Sequence, residues 1–158
     1  MSIFYNFEKK EIKVMVNNQI IFHLAIPIND LAKAKEFYGQ GLGCQIGREN
    51  SSAIIFNFYG HQVVAHMSLE PLQPQKSIYP RHFGLIFPTE SEWENLLAKA
   101  RNQQLNLAQS PKLRFPGELT EHHTFFLEDP FYNLLEFKFY RHFEAIFGGR
   151  ELVKIGDR

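Results

Sequence analysis

Two stretches of this chain run through the same order of elements, and that internal repeat constrains the fold more than any other feature. Ile20 to Ile28, IIFHLAIPI, is an apolar run broken only by His23, which predicts a strand buried on both faces. Asn29-Asp30 supplies a helix N-cap, and Leu31, Ala34, Phe37 and Tyr38 recur at helical spacing. Gly39, Gly41 and Gly43 stop that helix, and strands are predicted over Cys44–Glu49, Ala53–Tyr59 and Gln62–Ser68. Pro71, Pro74 and Pro80 then mark a linker. After it, RHFGLIFP from Arg81 to Pro88 predicts another apolar strand, with His82 near its start. Ser91 with Glu94 predicts a capping box, followed by Trp93, Leu96, Leu97 and Ala100 on one helical face. Strands are predicted around Lys112–Phe115 and over Thr124–Glu128 and Leu134–Tyr140, with the turn Asp129-Pro130-Phe131-Tyr132-Asn133 joining the last two.

Each unit is β-α-β-β-β, and neither can bury its sheet face alone. The expected fold is therefore α+β: two paired βαβββ modules forming a curved eight-stranded sheet around a cleft. The organisation is an N-terminal extension (1–19), a first module (20–70), a Pro-rich linker (71–80), a second module (81–141) and a C-terminal tail (142–158). The tail is expected to pack over the cleft or over a partner chain.

Composition removes several classes of function. Seventeen basic residues balance 17 acidic ones, so no net field steers the chain onto nucleic acid. No apolar run approaches the roughly 18 residues of a membrane span. Met1 to Val16 carries Glu8, Lys9, Lys10, Glu11 and Lys13, so it lacks the continuous apolar stretch of a secretory signal. The single cysteine, Cys44, makes a disulfide within the chain impossible and points to a reducing, cytoplasmic setting. Cys44 itself is expected to be buried and inert. Sixteen Phe residues suit a dense core or an apolar ligand cavity.

Four residues carry candidate chemistry. His23 and His82 occupy equivalent places in the two first strands. Glu136 stands within Leu134-Leu135-Glu136-Phe137 in the last strand, where a lone carboxylate is costly to bury without a charge partner. Two symmetric histidines and one strand carboxylate form a 2-His-1-carboxylate set, which leaves coordination positions open for substrate. The divalent ion such a set favours is Fe(II), with Mn, Ni or Zn as alternatives. His66 lies in the last strand of the first repeat, as Glu136 does in the second, and is the candidate general base. His122 and His123 are adjacent, so at most one of them would enter the cleft, and solvated loop positions are expected for both.

The paired repeats, the opening FHLAIPINDLAKAKEFYGQGLGC and the closing FFLEDPFYNLLEFKFY resemble the vicinal oxygen chelate superfamily, the glyoxalase, bleomycin-resistance and extradiol-dioxygenase group. The resemblance spans about Ile20 to Tyr140. It implies a metal at the positions matching the family's ligand strands, namely His23, His82 and Glu136, a small-molecule substrate and a homodimer. Members similar to glyoxalase I use a fourth ligand, a Glu in the last strand of the first module. This chain has no Glu there before Glu70, and His66 is the nearest substitute. The three-ligand set resembles the dioxygenase branch more closely. A glyoxalase-like lyase or isomerase, and a metal-free binding protein of the bleomycin-resistance kind, are the alternatives. The signature usually has Gly where Tyr132 stands, which predicts a departure in the local turn.

Overall fold

The computed structural model describes residues 20–157, so the reading of Met1 to Val16 lies outside the described residues. Two four-stranded mixed sheets carry the fold, one from each repeat. The first contains β1 (His23–Ile28), β2 (Gln45–Glu49), β3 (Ala53–Phe58) and β4 (His61–Met67) in the order β1-β4-β3-β2. The second contains β5 (Phe83–Ile86), β6 (Leu107–Arg114), β7 (His122–Glu128) and β8 (Leu134–Tyr140) in the order β5-β8-β7-β6. In each sheet the first strand runs parallel to the last and all other pairs are antiparallel. The two modules thus repeat one topology, as the internal repeat requires.

The helices follow from their caps. Asp30 accepts a hydrogen bond from Lys33 N at 3.0 Å and starts α1 (Leu31–Ala34), which widens into π-helical turns over Lys35–Gly41. In α2 (Glu90–Asn102) the cap is Thr89, two residues before the predicted Ser91. Thr89 Oγ1 accepts from Glu92 N at 3.3 Å and donates to Glu92 Oε2 at 2.6 Å. The box therefore pairs Thr89 with Glu92, because the helix already begins at Glu90. Trp93, Leu96, Leu97 and Ala100 face inward as their spacing predicts. The Trp93 indole donates to Phe137 O at 2.9 Å, which fixes α2 on the inner face of the second sheet.

One core serves both modules. Phe56, Phe58, Ile54 and Val63 of the first sheet share it with Phe125, Leu127, Leu135 and Phe137 of the second. Phe58 meets Phe83 and Phe137 at ring separations of 6.0 and 6.4 Å. Asp129 crosses between modules: its Oδ2 accepts from Tyr38 Oη at 2.7 Å. Cys44 is buried, as expected, and burial pushes its thiol up to about 12.

Several expectations are corrected. β1 is not buried on both faces: His23, Ala25 and Pro27 are exposed while Ile26 and Ile28 are buried. The strand lies at a sheet edge and only one of its faces meets the core. Ile20 to Phe22 precede it and are exposed. β6 is longer than the Lys112–Phe115 segment, because an irregular register interrupts its alternation near Gln109 and Lys112. Tyr132 keeps the turn of the signature by adopting φ 67°, the left-handed conformation that favours Gly. Among the described residues no helix is long and apolar enough to cross a membrane.

Candidate functional site

Strand alternation sorts the side chains onto two faces of each sheet. The inner faces carry the Phe-rich core. The open face of the second sheet carries Glu136 and Lys138 on β8, Thr124 and His122 on β7, and Lys112 and Arg114 on β6, in facing register. The open face of the first sheet carries His23 on β1, with Gln62 and His66 on β4.

Glu136 is 6% exposed and fully engaged. Its Oε1 accepts from Thr124 Oγ1 at 2.7 Å. Its Oε2 faces His82 Nε2 at 3.0 Å and Lys138 Nζ at 3.4 Å. These partners offset the cost of burying a carboxylate in an apolar strand. His82 Nδ1 lies 2.7 Å from Ile78 O, and a carbonyl can only accept, so Nδ1 carries the proton. Nε2 is then the ring nitrogen that faces the carboxylate oxygen, with or without its own proton. Two lone pairs that close call for a proton or a cation between them. His23 is set up the same way: its Nδ1 lies 2.7 Å from Gln62 Oε1, so that Nε2 is the ring nitrogen not engaged by Gln62.

The chain brings His82 and Glu136 together but leaves His23 on the other sheet. Among the described residues no three His, Cys, Asp or Glu side chains form a metal cluster. His66 shares the open face of the first sheet with His23, four residues along in the β1–β4 register, and is exposed. A cavity of about 470 Å³ between β1 and β5 is lined by Ala25, Pro27, Arg81, His82 and Tyr132. It joins the two modules at His82.

Residues outside the candidate metal set complete the second face. His122 is only 4% exposed and lies in β7, not in a solvated loop. It enters the open face, while His123 turns to the helix side and packs on Trp93 at 5.1 Å. His122 Nδ1 bonds Thr120 O at 2.8 Å, and its ring stacks on Tyr140 at 4.6 Å. Burial holds its pKa below the ordinary histidine value. Tyr79 leans its ring on His82 at 6.1 Å, and His82 in turn meets Phe126 at 5.1 Å. The C-terminal tail arches over this face and encloses about 550 Å³ above His122, Lys138 and Tyr140. Of these features, the sequence offered the alternation of His122 and His123 and the expectation that the tail packs over the cleft. Tyr79 and the tail reach the site through loop geometry that no periodicity encodes.

Comparison with known proteins matches the fold. A solved glyoxalase/bleomycin resistance protein/dioxygenase from Alicyclobacillus acidocaldarius is 40% identical, with TM-score 0.78, covering 84% of this chain and 100% of that one. A genomically encoded fosfomycin resistance protein from Listeria monocytogenes shares the fold at 12% identity and TM-score 0.62, covering 80% of this chain and 98% of that one. A lactoylglutathione lyase from Agrobacterium tumefaciens does so at 16% identity and TM-score 0.60, covering 82% and 97%. No curated protein matches the chain. The family model for the Glyoxalase/Bleomycin resistance protein/Dioxygenase superfamily matches residues 20–137, nearly the whole of both modules, and the chain belongs to that superfamily.

Proposed function

We propose that this protein is a metal-dependent enzyme acting on a small molecule with vicinal oxygens, dioxygenase-like in its donor set. His82 and Glu136 of one chain would hold the ion, and His23 of a second copy would complete the set in a homodimer. The superfamily acts on small molecules, and its members commonly use divalent metals. The observation that carries the reading is the 3.0 Å approach of His82 Nε2 to Glu136 Oε2, with Nδ1 already committed to Ile78 O. The same commitment of His23 Nδ1 to Gln62 supports its assignment as the third ligand. The exposed face of β1 leaves His23 open to a second copy.

A divalent ion, Fe(II) before Mn, Ni or Zn, would be held by His82, Glu136 and His23 and would supply Lewis acidity toward an oxyanionic substrate. The chain's own groups do the rest. Thr124 fixes the Glu136 carboxylate, and Ile78 O fixes the His82 ring. Phe126 and Tyr79 flank His82 with apolar surface, which excludes water. His66 is the proposed proton acceptor and would enter from the copy that supplies His23.

The test is metal content after anaerobic reconstitution with Fe(II) or Mn(II) and desalting. The wild type is expected to hold about one ion per chain, and Glu136→Ala and His23→Ala to lose it. An equal mixture of refolded His23→Ala and Glu136→Ala chains should regain about a quarter of the sites, since random pairing gives each mixed dimer one intact set. A site built within one chain regains none. Oxygen uptake with catechols separates dioxygenase from lyase chemistry. One observation favours a second reading, a metal-free pocket for apolar compounds. Lys138 already supplies a cation 3.4 Å from Glu136 Oε2. A wild-type protein without metal would establish that reading and sink the first.

A further inference from the structure

The tail lays its own carboxylate into the open face of the second sheet. Asp157 Oδ1 meets Lys112 Nζ at 2.7 Å, and Oδ2 meets Arg114 Nη2 at 3.0 Å. Asp157 N donates to Tyr79 Oη at 2.9 Å, and Arg114 Nη1 donates to the same oxygen at 3.4 Å. The Arg114 side chain is 3% exposed, whereas Asp157 is 42% exposed. The Arg114 guanidinium is thus built into the sheet, while Lys112 is about as open as the carboxylate it meets, and the carboxylate is the removable half. Arg114 Nε and His122 Nε2 are buried beside it without a hydrogen-bond partner among the described residues. They are donors and acceptors that the tail leaves unused.

Charge and geometry both favour an anion here. Apart from Asp157, this face sets Lys112, Arg114 and Lys138 against the single carboxylate of Glu136. One tyrosine side chain spans from this cluster to the His82–Glu136 pair: the Tyr79 hydroxyl touches Arg114 and its ring lies 6.1 Å from the His82 ring. Gly156 makes the tail fit. Its φ is +63°, and a Cβ there would lie 2.3 Å from Tyr79 Oη. The tail therefore reaches this place only with a residue that has no side chain.

We propose that Arg114, Lys112 and the Tyr79 hydroxyl form a carboxylate-binding subsite, filled in the resting protein by Asp157, and that the substrate is an organic carboxylate that displaces the tail. This deepens the function proposed above, because the same molecule would present its vicinal oxygens to His82 and Glu136. A buried guanidinium binds a planar carboxylate through parallel hydrogen bonds. Phe126, Tyr140 and the Tyr79 ring suit an aromatic or apolar body behind the carboxylate. Because Asp157 belongs to the same chain, it competes at high effective concentration and weakens every external carboxylate.

The experiment measures benzoate binding to the full chain by calorimetry, in chelator-treated protein at fixed ionic strength. Wild type should bind weakly, and Asp157→Asn and Gly156→Val should each bind about tenfold tighter as the tail lets go. Adding Arg114→Met to Asp157→Asn should abolish binding, and Arg114→Lys, which keeps the charge and guards against misfolding, should weaken it about tenfold. Benzamide should not bind any variant. The proposal is overturned if both tail variants bind no tighter than wild type, if the Arg114 variants bind as well as Asp157→Asn alone, or if benzamide matches benzoate. The metal reading fails separately: a wild type that holds no ion after reconstitution would still show the benzoate series.

Discussion

His122 carries its imidazole where water scarcely reaches it. Burial penalises the imidazolium and lowers its pKa, the Thr120 carbonyl opposes this, and Lys138 and Arg114 add to the lowering while Glu136 opposes it. Tyr140 stacks on the ring and Phe115 approaches it at 5.8 Å, and the Asp157 carboxylate of the overlying tail also interacts with its charge. Between the lowered folded value and the ordinary value of about 6.5, the unfolded chain binds more protons than the folded one. Stability therefore rises with pH through that window and falls as pH drops below about 6.5. Urea midpoints across this range should show the slope in wild type and lose it in His122→Phe. The opposite slope would mean that the ring is charged in the folded protein. His82 and Glu136 were legible as lone polar residues in apolar strands. His122 was not, since Thr120-Glu121-His122-His123-Thr124 has no apolar neighbour to signal burial. What buries it is Tyr140 and the tail, both far along the chain, and Phe115 across the β6–β7 connection.

At the scale of elements, β5 is a short strand whose value lies in how closely it approaches β8. Gly84 pairs with Glu136, and a Cβ on Gly84 would sit 1.6 Å from Glu136 O. Any side chain there forces the two strands apart, because the obstacle is backbone. Gly84→Ala should cost about 1–3 kcal/mol in thermal unfolding and should also lower metal content, since it moves the strand that carries Glu136. Unchanged stability with full metal loading would show that the strands separate without moving the carboxylate. The strands themselves were mostly legible: Leu134–Tyr140 stands where the alternation placed it, and β3 and β4 lie within a residue of their predicted bounds. β1 was misjudged because an apolar run cannot tell a buried face from one left open at an edge. The cap of α2 was misplaced because Thr89 and Ser91 both precede a Glu by three residues. Only the start of the helix at Glu90 decides between them.

Across the whole molecule, the DP-x-x-N turn is where the two modules are tied. Asp129 Oδ1 accepts from Phe131 N and Asn133 N at 2.9 and 2.8 Å, and Oδ2 accepts from Asn133 Nδ2 and Tyr38 Oη at 2.7 Å each. Asn133 Nδ2 also reaches Pro27 O at 3.2 Å. Burial raises the Asp129 pKa despite these donors, and burial likewise raises that of Tyr38. Removing one donor from a buried carboxylate costs the desolvation it had offset, so Tyr38→Phe should lose about 1–3 kcal/mol. Chemical unfolding should remain one transition with a lower midpoint. Two transitions would mean that the modules fold separately. The repeat made the two-module architecture legible, but not this tie, because the partners lie 91 residues apart.

The shared core also sets what can be done with the gene. Phe58 and Tyr59 stand where β3 of one module turns into β4 and spend their rings on Phe83, Phe137 and Phe87 of the other. A chain cut in the Pro-rich segment would yield two fragments, each with half a core facing water and a strong tendency to find the other. Such a cut turns the protein into a complementation pair, silent when either fragment is expressed alone and restored when both are present.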